Sequence, residues 1–213
     1  MEVISEKTWA KLVDANRGAV NAGWASEGVF APAVGPNFLQ GQGLLYIGKS
    51  AGPLGSKVGS SYDQAVSIDA SIDWMIAKKN KSAFWQFVDN IDFMRRSIAW
   101  SNISKMDVIG EQRPPNHREW TSISSVSIQA LREEIEFLIP KVTVFATSGL
   151  YGGYISGLLD NMGYKPAKLE FEDSWSSLRE NSSGQSVFLT KHPQGWPSAE
   201  RDRVLKSIKQ RLA

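Results

Sequence analysis

Apolar residues along this chain follow two rhythms. Short runs read as strands: "GLLYIG" (43–48), "SIAWS" (97–101), "PKVTVFATSG" (140–149) and "SVFLT" (186–190), with a further strand expected near "AKLEFE" (167–172). Between them apolar positions recur at helical spacing. "DQAVSIDASIDWMIAKK" (63–79) puts Ile68, Ile72, Met75 and Ile76 on one face, and "SAFWQFVDNIDFMRR" (82–96) does the same with Phe84, Phe87, Val88 and Ile91. Helices are also expected over "SIQALREEIEFLI" (127–139), "LYGGYISGLLDNMG" (150–163) and 198–212, the last with Ser198 as N-cap and Glu200 and Arg201 in its first turn. A Gly/Ser loop (48–61) and a polar, proline-bearing loop through "EQRPPNHREW" (111–120) separate these elements.

Strands alternating with helices of this length imply βαβ units, right-handed crossovers and a mostly parallel sheet. In such a sheet a ligand sits at the carboxyl ends of the strands. Four exits, "YIGKSAG", "AWSNISK", "FATSGLYG" and "FLTKHPQG", release small or polar residues there and are expected to converge. At the first, the turn from Gly48 to Gly55 offers backbone N–H groups to a phosphate or a base edge, or simply meets a need for positive φ. Its spacing matches neither a Walker phosphate loop nor the dinucleotide fingerprint. The second offers Asn102, whose amide can read the Watson–Crick edge of a base or brace its own loop. At the third, Thr147 and Ser148 open a helix, as an anion site or as an N-cap. The fourth holds His192 at a strand tip, where Pro193 stops the ladder and Gly195 permits a sharp turn.

Composition narrows the chemistry. The 213 residues are 42% hydrophobic and 22% charged, ordinary for one globular domain. With no cysteine there is no disulfide, thiolate nucleophile, iron–sulfur cluster or cysteine-ligated zinc, and two histidines leave little scope for a metal site, so no cofactor is expected. A net charge of +2 is compatible with nucleic acid without arguing for it. No apolar stretch reaches the roughly 20 residues of a spanning helix, and the N-terminus lacks the order of a signal peptide. A cytoplasmic protein without a membrane partner is expected. The eight tryptophans are read mainly as packing residues.

Taken together and in order, the four exits resemble the uracil-DNA glycosylase superfamily. "LLYIGKSAG" is similar to its first motif, "WSNISKM" (100–106) to the Thr-Asn-hydrophobic-hydrophobic-Lys stretch with the base-reading asparagine, "LREEIEFLIPKVTVFATSGLYG" (131–152) to its middle section, and "TKHPQG" to the His-Pro motif after the last strand. The resemblance covers about residues 43–212 and leaves 1–40 as an N-terminal extension of one domain. It implies a three-layer α/β/α sandwich around a four-stranded, mostly parallel sheet. It also implies a partner that is DNA or a nucleotide, and hydrolytic excision of a flipped base. Asn102, Gly48, Lys49 and Tyr62 would then bind the base, and His192 would stabilise the negative charge on the leaving group. Ser148, Gly195, Arg113 and Arg118 would meet the nucleic-acid backbone.

The first motif departs from the family's pattern. Active members generally carry an Asp, Glu or Asn there to handle the water; here Lys49 and Ser50 occupy the place, followed by Ala51. Three readings follow: excision that relies on His192 and a bound water, with Ser50 as the second catalytic candidate, at the first motif; a swing of Asp63 or Asp69 into the site; or a Lys49 that binds phosphate in a non-catalytic nucleotide- or nucleic-acid-binding protein on the same fold. A hydrolase using Ser50 or Ser148 as nucleophile is disfavoured, because neither lies in a nucleophile elbow.

Overall fold

The computed structural model describes residues 2–50, 61–77, 82–111, 113–170 and 176–213. Within them the chain is an α/β protein with six helices and one mixed sheet of seven strands. The elements run α1 (Glu6–Asn21), β1 (Ala33–Val34), β2 (Leu44–Gly48), α2 (Gln64–Ile76), α3 (Ala83–Asp89), β3 (Ile98–Asn102) and α4 (His117–Leu138). They continue with β4 (Val142–Ala146), α5 (Gly152–Asn161), β5 (Lys165–Ala167), β6 (Ser176–Glu180), β7 (Ser186–Thr190) and α6 (Ser198–Leu212). The sheet order is β1-β3-β2-β4-β7-β6-β5. No helix among the described residues is long and apolar enough to cross a membrane.

By internal contacts the chain divides into two compact units. The first comprises residues 1–34, 48–77 and 100–137, and the second residues 35–47, 78–99 and 138–213.

In the second unit β4 pairs parallel with β2 (Leu44↔Val142 to Ile47↔Phe145) and with β7 (Val142↔Ser186 to Ala146↔Thr190). All five β4 residues are buried, which is why this run reads as continuous rather than alternating. The expected four-stranded, mostly parallel sheet is corrected to seven strands of mixed sense. β6 and β7 form an antiparallel hairpin, with Ser176 opposite Thr190, and β5 adds antiparallel to β6. The hairpin loop is built by Asn181, whose backbone N–H donates to the Gln185 carbonyl while its side-chain oxygen accepts the Ser183 and Gln185 N–H groups; Gly184 adopts φ 78°. The strand expected at 167–172 is also corrected. Pairing covers only Lys165–Ala167, residues 168–170 are unpaired, and 171–172 fall outside the described residues.

Helix limits differ from expectation for local reasons. α3 ends at Asp89, not at 96, because the next turn folds onto the helix. Arg95, 1% exposed and at φ 55°, donates to both Asp89 oxygens (2.7 and 3.1 Å) and lies 4.3 Å over the Trp85 ring. α4 starts at His117, inside the stretch read as loop. Asn116 accepts the Glu119 N–H at 3.1 Å while Glu119 accepts the Asn116 N–H at 2.7 Å, a reciprocal capping box. At α6 the N-cap is Pro197 rather than Ser198; the Pro197 carbonyl already accepts the Arg201 N–H, so Ser198 is helical.

In the first unit α1 occupies residues for which no element was expected. Ser5 caps it by accepting the Thr8 N–H, and Trp9, Leu12, Val13 and Ala19 bury one face. Trp100 packs edge-on against Phe30 (4.9 Å) and tilted against Trp74 (5.2 Å). Trp9, Trp74, Trp85, Trp100, Trp120 and Trp196 are all buried, which accounts for most of the tryptophan content as packing.

Backbone crowding yields a sharp test. A Cβ added at Gly35 would lie 2.3 Å from the Arg96 carbonyl oxygen and 2.8 Å from that of Ile98. Gly18, inside α1, has nothing within 4 Å. Gly35→Ala is expected to destabilise by about 1–3 kcal/mol and Gly18→Ala to stabilise by about 0.5–1 kcal/mol, both read from urea denaturation midpoints.

Candidate functional site

In the first unit the ends of β2 and β3 are tied together. The Ile103 N–H donates to the Gly48 carbonyl and the Ser104 N–H to the Lys49 carbonyl, each at 3.0 Å. Gly48 is buried as the last residue of β2, and Lys49 and Ser50 are half-buried. The rest of the glycine turn, from Ala51, lies outside the described residues.

Asn102, the last residue of β3, is 1% exposed, and its side-chain nitrogen has no hydrogen-bond partner among the described residues. An amide donor buried without a partner costs about 1–3 kcal/mol. Native structures seldom retain such groups without a reason.

Ser101 and Lys105, inside the "WSNISKM" stretch, form a buried cluster with Glu134, a residue the sequence reading did not single out. Lys105 Nζ is 2.6 Å from Glu134 Oε1 and 2.7 Å from Ser101 Oγ, and Ser101 Oγ donates to Glu134 Oε2 at 2.6 Å. All three residues are fully buried. Burial pulls the Lys105 ammonium below its ordinary pKa and pushes the Glu134 carboxyl above its own, while their mutual attraction opposes both shifts. A signal was present in the sequence, since Glu134 interrupts the apolar stripe Ala130, Leu131, Ile135 and Leu138 of α4.

Other candidates in this unit are already engaged. Tyr62, 37% exposed, donates its hydroxyl to Asn16 Oδ1 at 3.1 Å, and the Arg17 guanidinium lies 5.2 Å over its ring. One ring face is therefore occupied. Asp63 caps α2 by accepting the Ala65 and Val66 N–H groups, and Asp69 is exposed on that helix, so both carboxylates have ordinary places there. Arg113 bonds both Glu119 oxygens (2.7 and 2.9 Å) and pairs with Glu111, so two carboxylates offset its charge. Arg118 stands exposed in the first turn of α4, on a helix rather than in a loop.

In the second unit the exits of β4 and β7 meet. The Ser148 N–H donates to the Thr190 carbonyl at 3.0 Å, carrying the β4–β7 ladder past the strand ends. Ser148 Oγ in return accepts the His192 N–H at 2.7 Å. His192 Nδ1 accepts the Gln194 N–H at 3.2 Å, which places the proton of the neutral ring on Nε2. The Phe84 ring lies nearly parallel to the imidazole (21°) with centroids 6.0 Å apart. Gly195 adopts φ 77° in the turn that follows, as its position after Pro193 suggested.

Beside these exits a cavity of about 420 Å³ is lined by Thr147, Ser148, Ser156, Ser176, Thr190 and Lys191, among others. Its wall is rich in hydroxyls and lies at the start of α5, a suitable setting for an oxyanion. Ser148 (φ 57°) and Tyr151 (φ 61°) hold left-handed backbone there. Among the described residues no three His, Asp or Glu side chains gather as a metal-binding set. No protein-family model matches the chain, and no curated protein matches its sequence.

Two outcomes check this geometry. In a long-range ¹H–¹⁵N spectrum at alkaline pH, His192 should show the Nε2–H tautomer, and a proton on Nδ1 would contradict the Gln194 bond. The hydrogen bonds from Arg113 hold the Glu119 carboxyl below its ordinary value. A depressed acid stabilises the fold above its unfolded pKa, and that contribution is lost as pH falls through the folded value. NMR titration should therefore find the Glu119 midpoint low, and Arg113→Ala should move it up toward the ordinary value.

Proposed function

We propose that the protein recognises a base in DNA and hydrolyses its N-glycosidic bond, on a three-layer fold of the uracil-DNA glycosylase kind. The observation that carries the reading is Asn102, a fully buried amide at a strand exit whose nitrogen has no hydrogen-bond partner among the described residues. An amide offers a donor and an acceptor side by side, the complement of a Watson–Crick edge. An unsatisfied donor becomes satisfied when a flipped base arrives.

In the proposed reaction the C1′–N bond breaks as the sugar takes on oxocarbenium character, and the bonding pair leaves with the base, whose negative charge is delocalised onto a carbonyl oxygen. His192 donates through Nε2–H to that oxygen, with Nδ1 held by the Gln194 N–H. Water then adds to C1′ and loses a proton to solvent, leaving an abasic site and the free base. Ser148, Gly195 and Arg118 are assigned to the nucleic-acid backbone. Arg113 is not, because Glu111 and Glu119 already hold it.

One observation favours a second reading, non-catalytic binding of a nucleotide or nucleic acid. The side chain directly after β2 is Lys49, a cation with no capacity to activate water in its protonated form.

The test is incubation with single- and double-stranded oligonucleotides carrying uracil, hypoxanthine or xanthine, followed by alkaline cleavage of abasic sites. Excision is expected to fall about 10²–10³-fold in His192→Ala and about 10-fold or more in Asn102→Ala. Binding without cleavage by the folded wild type would support the second reading instead.

A further inference from the structure

Lys105 and Glu134 take no part in the chemistry proposed above, yet they are the most completely buried charges described in the first unit, each at 0% side-chain exposure. A buried ion pair is often no more stabilising than apolar side chains of the same size, so stability alone does not explain it. What distinguishes the pair is its connectivity. Glu134 sits on α4, Ser101 is the residue before Asn102, and Lys105 lies three residues after it.

Both carboxylate oxygens are used, one by the Lys105 ammonium and one by the Ser101 hydroxyl, and Lys105 also bonds Ser101, closing a triangle of 2.6, 2.6 and 2.7 Å. The Lys105 backbone carbonyl accepts the Phe30 N–H at 2.8 Å, and its ammonium lies 5.9 Å from the Phe30 ring. Ser104 Oγ donates to the Met106 carbonyl at 2.7 Å. The chain from 101 to 106 is thereby held to α4 on both sides of Asn102. It is also held to β2 through the Ile103 and Ser104 N–H groups.

We propose that Lys105, Glu134 and Ser101 are positioning residues that fix the β3 exit and set the direction in which the Asn102 amide is presented. The role given to Asn102 rests on the base-recognition reading; the anchoring itself does not. Charge-assisted bonds suit this task because they are directional, whereas apolar packing would leave the exit free to shift by small amounts. A displacement of about 1 Å in a reading group is enough to cost a large share of the rate.

The test uses the full chain in three variants. Lys105→Met/Glu134→Leu exchanges both charges for apolar side chains of similar size, Ser101→Ala removes only the bridge, and Asn102→Asp identifies the Asn102 side-chain amide signal by its loss. In the double variant, with its melting temperature retained, hydrogen exchange at Ile103 and Ser104 is expected to quicken by about tenfold or more relative to β4 amides. The Asn102 amide signal should move toward that of an exposed asparagine. If the wild type excises uracil from a single-stranded oligonucleotide, kcat should fall by about tenfold or more with little change in KM. Unchanged exchange together with an unmoved amide signal would overturn the proposal. Should the double variant fail to fold, Ser101→Ala decides by the same two readings. A wild type that cuts no oligonucleotide would defeat excision, while exchange and the amide signal would still decide the anchor.

Discussion

The parallel pairing of β4 with β7 is the constraint from which the second unit's strand ends follow. Five consecutive pairs, Val142↔Ser186 to Ala146↔Thr190, set a register that the Ser148 N–H extends by bonding the Thr190 carbonyl. A slip of one residue would turn every side chain of β7 to the other face. With the register fixed, Ser148 Oγ meets the His192 N–H, and the histidine leaves the sheet from a defined point. The same ladder over-determines the turn after β4. Left-handed backbone at Ser148 and Tyr151 costs about 1–3 kcal/mol at each site; it persists because the flanking strand and α5 leave the chain little alternative.

The first unit shows two opposite ways of treating buried polar groups. The Lys105 ammonium and both Glu134 oxygens find partners, and the cost of taking two charges out of water is offset by short, charge-assisted bonds. One residue from Ser101, the Asn102 nitrogen has no such partner among the described residues. A core selected only for stability would satisfy both or place apolar side chains at both. Under the base-recognition proposal, full satisfaction beside an open donor is what a rigid mount for a reading group requires.

Much of this was legible because it depends on short-range patterns. The run "SVFLT" ends at the observed limits of β7, and the helix after it spans Ser198–Leu212, since an uninterrupted apolar run and an amphipathic segment bounded by proline leave little latitude. The N-terminal half of α4 was missed because "RPPNHREW" carries two prolines and four ionisable side chains, which outweighed the capping pattern of Asn116 and Glu119. β6 was missed for a different reason. "SSLRE" lies near the sheet margin, has Leu178 as its one apolar residue, and gains strand character by pairing with β5 and β7, interactions invisible in local composition. The candidate residues divide along the same line. His192 and Asn102 stand out from motif order, whereas Glu134 belongs to no such motif and meets Lys105 only in the fold.

The chemistry left to a first exit without a carboxylate follows from where charge develops. In a dissociative cleavage water meets a sugar that is already largely cationic, so little is asked of a general base, and most of the demand falls on stabilising the departing base. A neutral imidazole with Nδ1 held by a backbone N–H meets that demand without adding positive charge. An ammonium does not. Two unit positive charges 5 Å apart at an effective dielectric of about 20 repel by about 3 kcal/mol, more than two powers of ten in rate. A protonated Lys49 facing the sugar would therefore oppose excision, whereas the same cation paired with a DNA phosphate would be neutralised. Under the excision proposal Lys49 is therefore assigned to a phosphate, and the water asks for no strong base at the first exit.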